Sequence, residues 1–365
     1  MKIKKETNTL KNLYDRKKNI FTLISFIMSI IIIYGHSYVL YFGANTLKID
    51  IFSYLLKYPI GEIVVDIFLI YSGFNIISSL LRSDSYIKFF LKRILKIIPE
   101  LLISLLVAAF IITPIVLKIP FLTYLKTPSY YFKYIFDNII LIKPTIYSIS
   151  NVFNNLPYPN VLNGSIWTIK HIFACYLIIA FLKKIKFLDK RKNILILTII
   201  FLITNIFINT GILNSYLNII STKLSFIGIL GEFTWFIRLL YFFLTGVCLN
   251  LYQDKIKVNI YIIISILLML TLARFTNLTS YSLLLFLPYL SIILGSIKLN
   301  LKQIDISYTI YVFGFLIQQF IMFLFPKINF FLFNISAIFI TILISYINYL
   351  LIDKSIIKLR KRLNL

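Results

Sequence analysis

Apolar runs of roughly 16 to 24 residues recur along this chain, and a run near 20 is what a helix needs to cross the roughly 30 Å hydrocarbon layer of a bilayer. The spans read at about 20–42, 62–81, 94–117, 166–182, 194–210, 236–251, 258–272, 281–297, 306–325 and 329–352. Only 14% of the 365 residues are charged and the mean hydropathy is +0.90, whereas a soluble domain carries about a quarter charged residues. Backbone amides cannot be left bare in hydrocarbon, and the runs are too long and uniformly apolar for alternating barrel strands. The expected fold class is therefore all-α, a polytopic bundle of about ten transmembrane helices. The whole chain, 1–365, reads as one domain.

A net charge of +25 raises the question of a nucleic-acid partner, but its distribution answers otherwise. Counting Lys and Arg over alternate connections places 27 of the 38 on one side, including Lys255, Lys257, Lys298 and Lys302, and ten on the other, with Lys170 inside the fourth span. That asymmetry is the positive-inside rule, so both termini are expected in the cytoplasm, and the partner implied is the lipid bilayer rather than a nucleic acid. A basic stretch before an apolar run resembles a secretory signal, yet no small-residue cleavage site follows the first span, which is expected to stay as a helix. Cys175 and Cys248 both fall inside spans, so neither a disulfide framework nor a metal cluster is expected.

The longest connection, about 118–165, lies on the less basic face and is rich in tyrosine: Tyr124, Tyr130, Tyr131, Tyr134, Tyr147 and Tyr158. Its aromatics read either as an interfacial belt or as a surface on which sugars stack.

Polar groups at membrane depth are costly, which makes each a functional candidate. His36, Asp66, His171, Gln318 and Gln319 fall at similar heights on their spans, about 3 to 8 Å from mid-membrane toward the less basic face at 1.5 Å of rise per residue. They read either as the lining of a polar cavity or as hydrogen bonds that fix helix packing. Histidine is the side chain suited to general-base work near neutral pH when something orients its ring, and Asp66 is a possible partner for His36. On the basic face, Lys88, Lys92, Arg93 and Lys96 crowd the start of the third span ahead of Pro99. They read as a headgroup anchor or as a site for the phosphates of a donor such as coenzyme A.

Five stretches in order carry a resemblance: Asn19–Ser25 with Ile33-Tyr34-Gly35-His36-Ser37; Val65-Asp66-Ile67-Phe68 with Tyr71-Ser72-Gly73-Phe74; Lys92-Arg93 through Lys96 to Pro99; Asn163-Gly164-Ser165-Ile166-Trp167-Thr168; and Asp305-Ile306-Ser307-Tyr308 through Tyr311, with Gln318-Gln319. Together they resemble the membrane-bound acyltransferase family 3, whose bacterial members O-acylate surface polysaccharides. The resemblance implies a multi-pass inner-membrane enzyme that passes an acyl group from a cytoplasmic acyl-CoA, acetyl-CoA above all, to a glycan or lipid-linked sugar outside. His36 would be catalytic with Asp66. Ser72, Gly73, Trp167, His171, Gln318 and Gln319 would bind the acceptor, and Lys92, Arg93 and Lys96 the donor, with no metal. Two positions depart from the family pattern: Ser25 stands where it has Arg, and Ile172 where it has Glu, a carboxylate expected beside His36. A catalytically impaired relative that binds glycan, or a glycan-lipid transporter, are the alternatives.

Overall fold

The computed structural model describes residues 9–43, 50–228, 232–300 and 303–363. Lys302 and the first eight residues, counted above among the basic charges, lie outside these. Among the described residues, ten helices fall on the ten expected spans: α1 Phe21–Phe42, α2 Ile60–Leu81, α3 Tyr86–Leu117, α4 Trp167–Lys184, α5 Arg191–Asn209, α6 Phe233–Leu251, α7 Ile260–Ala273, α8 Thr279–Gly295, α9 Ser307–Leu324 and α10 Phe330–Asn348. Seven of these, among the described residues, are long and apolar enough to cross a membrane, α7 and α8 are shorter apolar helices, and α4, which carries Lys170, Lys183 and Lys184, belongs to neither group. Among the described residues there is no strand, only two isolated bridges.

The ends of these helices follow local chemistry. Helix α3 begins eight residues before the expected boundary because Ser85 caps it, its hydroxyl accepting from the Ile87 amide at 3.1 Å. The basic lead-in is thus helical although it is not apolar. Further along, Pro114 lacks an amide hydrogen, and the turn before it, Ala108–Ile112, widens into a π-helix in which the Thr113 hydroxyl donates to the Ala108 carbonyl at 2.8 Å. At the start of α1, Gln303 accepts from the Leu23 amide at 3.1 Å and donates to the Asn19 carbonyl at 2.7 Å, so a side chain from beside α9 serves a helix end that has no intrahelical partners.

The core is built on α2 and α6, whose backbones meet at two glycines. A Cβ on Gly73 would sit 2.0 Å from the Phe243 carbonyl oxygen, and one on Gly246 would sit 2.1 Å from that of Ile70. Only hydrogen fits at this crossing, the device that lets helices approach closely where lipid offers no hydrophobic drive. Asn250 then ties the pair, donating to the Phe74 carbonyl at 2.8 Å and accepting from Ser78 at 3.1 Å. Helix α9 packs between α1 and α10 and is buried along most of its length.

The segment after α3 forms two short helices, Phe121–Leu125 and Phe132–Ile139, and then runs without regular structure to α4. Its tyrosines do not form one surface. Tyr124 and Tyr134 are buried, Tyr131, Tyr147 and Tyr158 half-buried and Tyr130 exposed, so most of the aromatic area packs within the protein.

Candidate active site

Two cavities enter the bundle from opposite ends. At the end where α1 and α3 begin, a cavity of about 250 Å³ is lined by Ser25, Ser72, Arg93, Lys96, Ile172 and Tyr176, among others. At the end where α2 and α4 begin, a cavity of about 380 Å³ is lined by His36, Asp50, Glu62, Asp66, Trp167 and Trp235, among others. They are called here the basic-end and loop-end cavities. Val65 and Tyr311 line both. Eleven residues separate Ser25 from His36 on α1, about 16 Å of helix rise.

In the basic-end cavity Arg93 donates to the Ser79 hydroxyl at 2.6 Å and lies 5.4 Å from the centroid of the Phe89 ring. Lys96 forms an ion pair with Asp305 at 3.1 Å, and its ammonium holds the Asp305 carboxyl below the usual carboxylate range. Ser72 shares a hydrogen bond of 2.9 Å with Tyr176. An arginine and a lysine thus both line the chamber, while half of the Lys96 side chain stays exposed. Lys92 does not line it.

In the loop-end cavity His36 is half-buried, its ring edge-to-face with Phe315 at 5.4 Å. Asp66 lines the same chamber but is held elsewhere: Arg238 of α6 donates from Nε to one carboxylate oxygen at 3.2 Å and from Nη2 to the other at 2.5 Å. The carboxylate is only 1% exposed, and a bidentate guanidinium is the partner such a buried charge requires. Arg238 also reaches the Tyr58 hydroxyl and lies 3.7 Å from Glu62, which accepts from Tyr58 at 2.8 Å. Among the described residues no hydrogen bond joins His36 to Asp66, so the expectation that Asp66 orients the imidazole gives way to an Asp66–Arg238 pair. Sequence reasoning missed Arg238 because it lies at the mouth of the sixth span and was counted with the loop charges. Glu62, one helical turn before Asp66, was the available signal, since two acids on one buried face call for a cation.

The remaining polar residues separate rather than form one layer. His171 donates from Nδ1 to the Trp167 carbonyl at 3.0 Å and packs against the Trp167 and Phe236 rings, at 5.2 and 6.0 Å. Gln318 donates to the Ile33 carbonyl at 2.8 Å and the Ser37 hydroxyl at 2.7 Å, pinning α9 to the turn of α1 that carries His36. Gln319 donates to the carbonyls of Tyr158 and Val161, at 2.8 and 2.9 Å, and anchors the long connection. Both glutamines are fully buried and line neither cavity. Gly73 is occupied by the α2–α6 crossing and lies against neither chamber. Ile172 corrects another expectation, since it lines the basic-end cavity with Ser25 instead of the loop-end cavity with His36.

The block from Asn163 to Thr168 positions the site. Asn163 donates to the Val312 carbonyl of α9 at 2.8 Å, Gly164 lies so close to the Phe315 ring that a Cβ would meet it at 2.7 Å, and Thr168 shares a 2.7 Å hydrogen bond with Tyr311. Phe315 in turn packs on His36. Trp167 ends up at the chamber, edge-to-face with Trp235 at 5.8 Å. Among the described residues no group of three His, Cys, Asp or Glu side chains could hold a metal ion.

Long apolar helices around a chamber at each end, each lined by a few charged side chains, define an integral-membrane protein. The chain belongs to acyltransferase family 3: that family's acyltransferase-domain model matches residues 22–350, nearly its full length, and this is a membrane acyltransferase. No curated protein and no solved structure matches it significantly.

Proposed function

We propose that this protein is a bacterial inner-membrane O-acyltransferase. It takes an acetyl group from acetyl-CoA bound at the basic end, on the cytoplasmic side, to a hydroxyl of a surface polysaccharide or its lipid-linked precursor in the loop-end cavity. The observation that supports this best is the opposition of two chambers of unlike chemistry that share Val65 and Tyr311. A phosphate-rich donor suits Arg93 and Lys96, because guanidinium and ammonium groups donate to phosphate oxygens. The acyl end then points toward the shared residues while the acceptor approaches from the other side.

His36 is the base that lines the acceptor chamber. Its imidazole takes the proton of the acceptor hydroxyl as the oxygen attacks the thioester carbonyl; the carbon–sulfur bond breaks, and the proton passes to the leaving thiolate to give the ester and free coenzyme A. With Asp66 committed to Arg238, the acceptor itself and the Phe315 ring are left to orient the imidazole. The departures at Ser25 and Ile172 fit an active site, because both positions line one cavity. Replacing a family Arg and a family Glu together takes one cation and one anion from the same compartment and strands neither, whereas a lone buried charge would be costly.

Labelled acetyl-CoA and the native glycan, with purified protein, test this. His36→Ala is expected to lower the transfer rate by about 10² to 10⁴ at unchanged protein level; full transfer by that variant would overturn the assignment. Arg93→Ala is expected to raise the donor KM about ten- to a hundredfold, the equivalent of a charge-assisted phosphate contact of about 1.5–3 kcal/mol, with less effect on kcat. An unchanged KM with lower yield would make the cluster a headgroup anchor.

A further inference from the structure

The two chambers differ in the sign of their charge. At the basic end Arg93 and Lys96 face a single acid, Asp305. At the loop end the ionisable acids and bases lining the cavity, among the described residues, are His36 and three acids, Asp50, Glu62 and Asp66. Arg238, the guanidinium behind them, spends two of its donors on Asp66 and stands 3.7 Å from Glu62. Lys57, near in sequence, lies over the Tyr54 ring at 4.6 Å. Among the described residues, three carboxylates stand against one guanidinium, so with the acids ionised negative charge is in excess. Glu62 is the most open of the Asp66 cluster, with 28% of its side chain exposed.

The chain has two tryptophans, and both line this cavity, in contact with each other. Aromatic faces take the C–H faces of a sugar ring, and ionised carboxylates accept hydrogen bonds from its hydroxyls but offer none to an anion. At about 380 Å³ the chamber lies in the range of small-molecule sites.

We propose that the loop-end cavity selects a sugar residue that carries no negative charge, holding its ring against Trp167 and Trp235 and its hydroxyls on Glu62, and rejecting uronates, sialates and sugar phosphates. This rests on the reading of that chamber as the acceptor site and names the class of acceptor it takes. Like-charge juxtaposition in a partly desolvated site is what produces the rejection, and such repulsion sets specificity more than affinity.

Tryptophan emission reports on this chamber alone, because no other tryptophan exists in the chain. The experiment titrates purified protein in detergent, without donor, with neutral oligosaccharides of glucose, galactose and N-acetylglucosamine and with the same glucose and galactose chains oxidised at C6 to carboxylates. The expected result is a saturable emission change with at least one neutral chain and binding about tenfold weaker or worse for its carboxylate counterpart. Raising the ionic strength, which screens partly exposed charges, and the variant Glu62→Gln should each narrow that gap. The salt titration needs no variant, so the test stands if Glu62→Gln fails to fold. Equal or tighter binding of the carboxylate chain, a gap indifferent to both salt and Glu62→Gln, or no saturable change with any oligosaccharide would each overturn the proposal. Selective binding by a protein that transfers no acetyl group leaves this inference standing and removes the proposed reaction; acetyl transfer to an anionic glycan does the reverse.

Discussion

Among the described residues Arg238 is the cationic partner of a carboxylate that is almost wholly buried, and the cost of losing it follows from that. Arg238→Met would strand Asp66, and removing one member of a buried pair costs about 3–5 kcal/mol. Thermal unfolding in detergent should show a marked loss of stability for Arg238→Met and substantial recovery for Arg238→Met combined with Asp66→Leu, because removing both members leaves no orphan charge. A single variant as stable as the native chain would mean that the pair contributes nothing to packing. At this scale the sequence was legible in part. His36, Asp66, Arg93 and Lys96 were recognisable as polar groups set at membrane depth or at its border, and all four line a cavity. What each touches was not legible, because hydrogen-bond partners come from helices far apart in the chain: Asp66 and Arg238 are 172 residues apart.

Helices were easier to read than contacts, since hydropathy acts over a whole turn-by-turn run and the bilayer fixes its length. The boundary of α3 was misplaced because its first turns are basic, and a headgroup-facing helix need not be apolar. Gly73 shows a different limit. Its motif drew attention to a substrate, while its actual constraint is the approach of α6, which only geometry reveals. Gly73→Ala should therefore cost at least about 1–3 kcal/mol, since the obstructing atom is a backbone oxygen that cannot rotate away. Gly61→Ala on the same helix, where a Cβ would meet nothing within 4 Å, should be neutral or slightly stabilising through helix propensity. Folded yield by size-exclusion chromatography and unfolding temperature compare the two; equal behaviour would mean that the α2–α6 crossing is loose.

For the whole molecule, the segregation of Lys and Arg sets the expected orientation. Reporter fusions at Asn193 and Asn300 should read as cytoplasmic and one at Asn155 as external. The inverse pattern would put the basic chamber outside the cell, away from acyl-CoA, and the proposed donor with it. The meeting of two cavities lay beyond sequence reading, because a void is defined by side chains from many helices at once: Tyr311 and Val65, which line both, lie in different spans.

That the same two residues line both chambers has an electrical consequence. A membrane voltage drops across insulating material, and where solvent fills a chamber from each side the insulator narrows to the layer around Val65 and Tyr311. A unit charge crossing the full potential does work of about 2.3 kcal/mol per 100 mV, and here nearly all of it would be concentrated over the width of one or two side chains. The acetyl group itself is neutral and passes that layer without electrical work, whereas the acceptor's proton, which the proposed reaction hands to the thiolate on the other side, moves through the potential. The aliphatic Val65 and the Tyr311 hydroxyl, tied to Thr168, thus stand where a dielectric seal is needed if the proposed transfer is to run across a charged membrane.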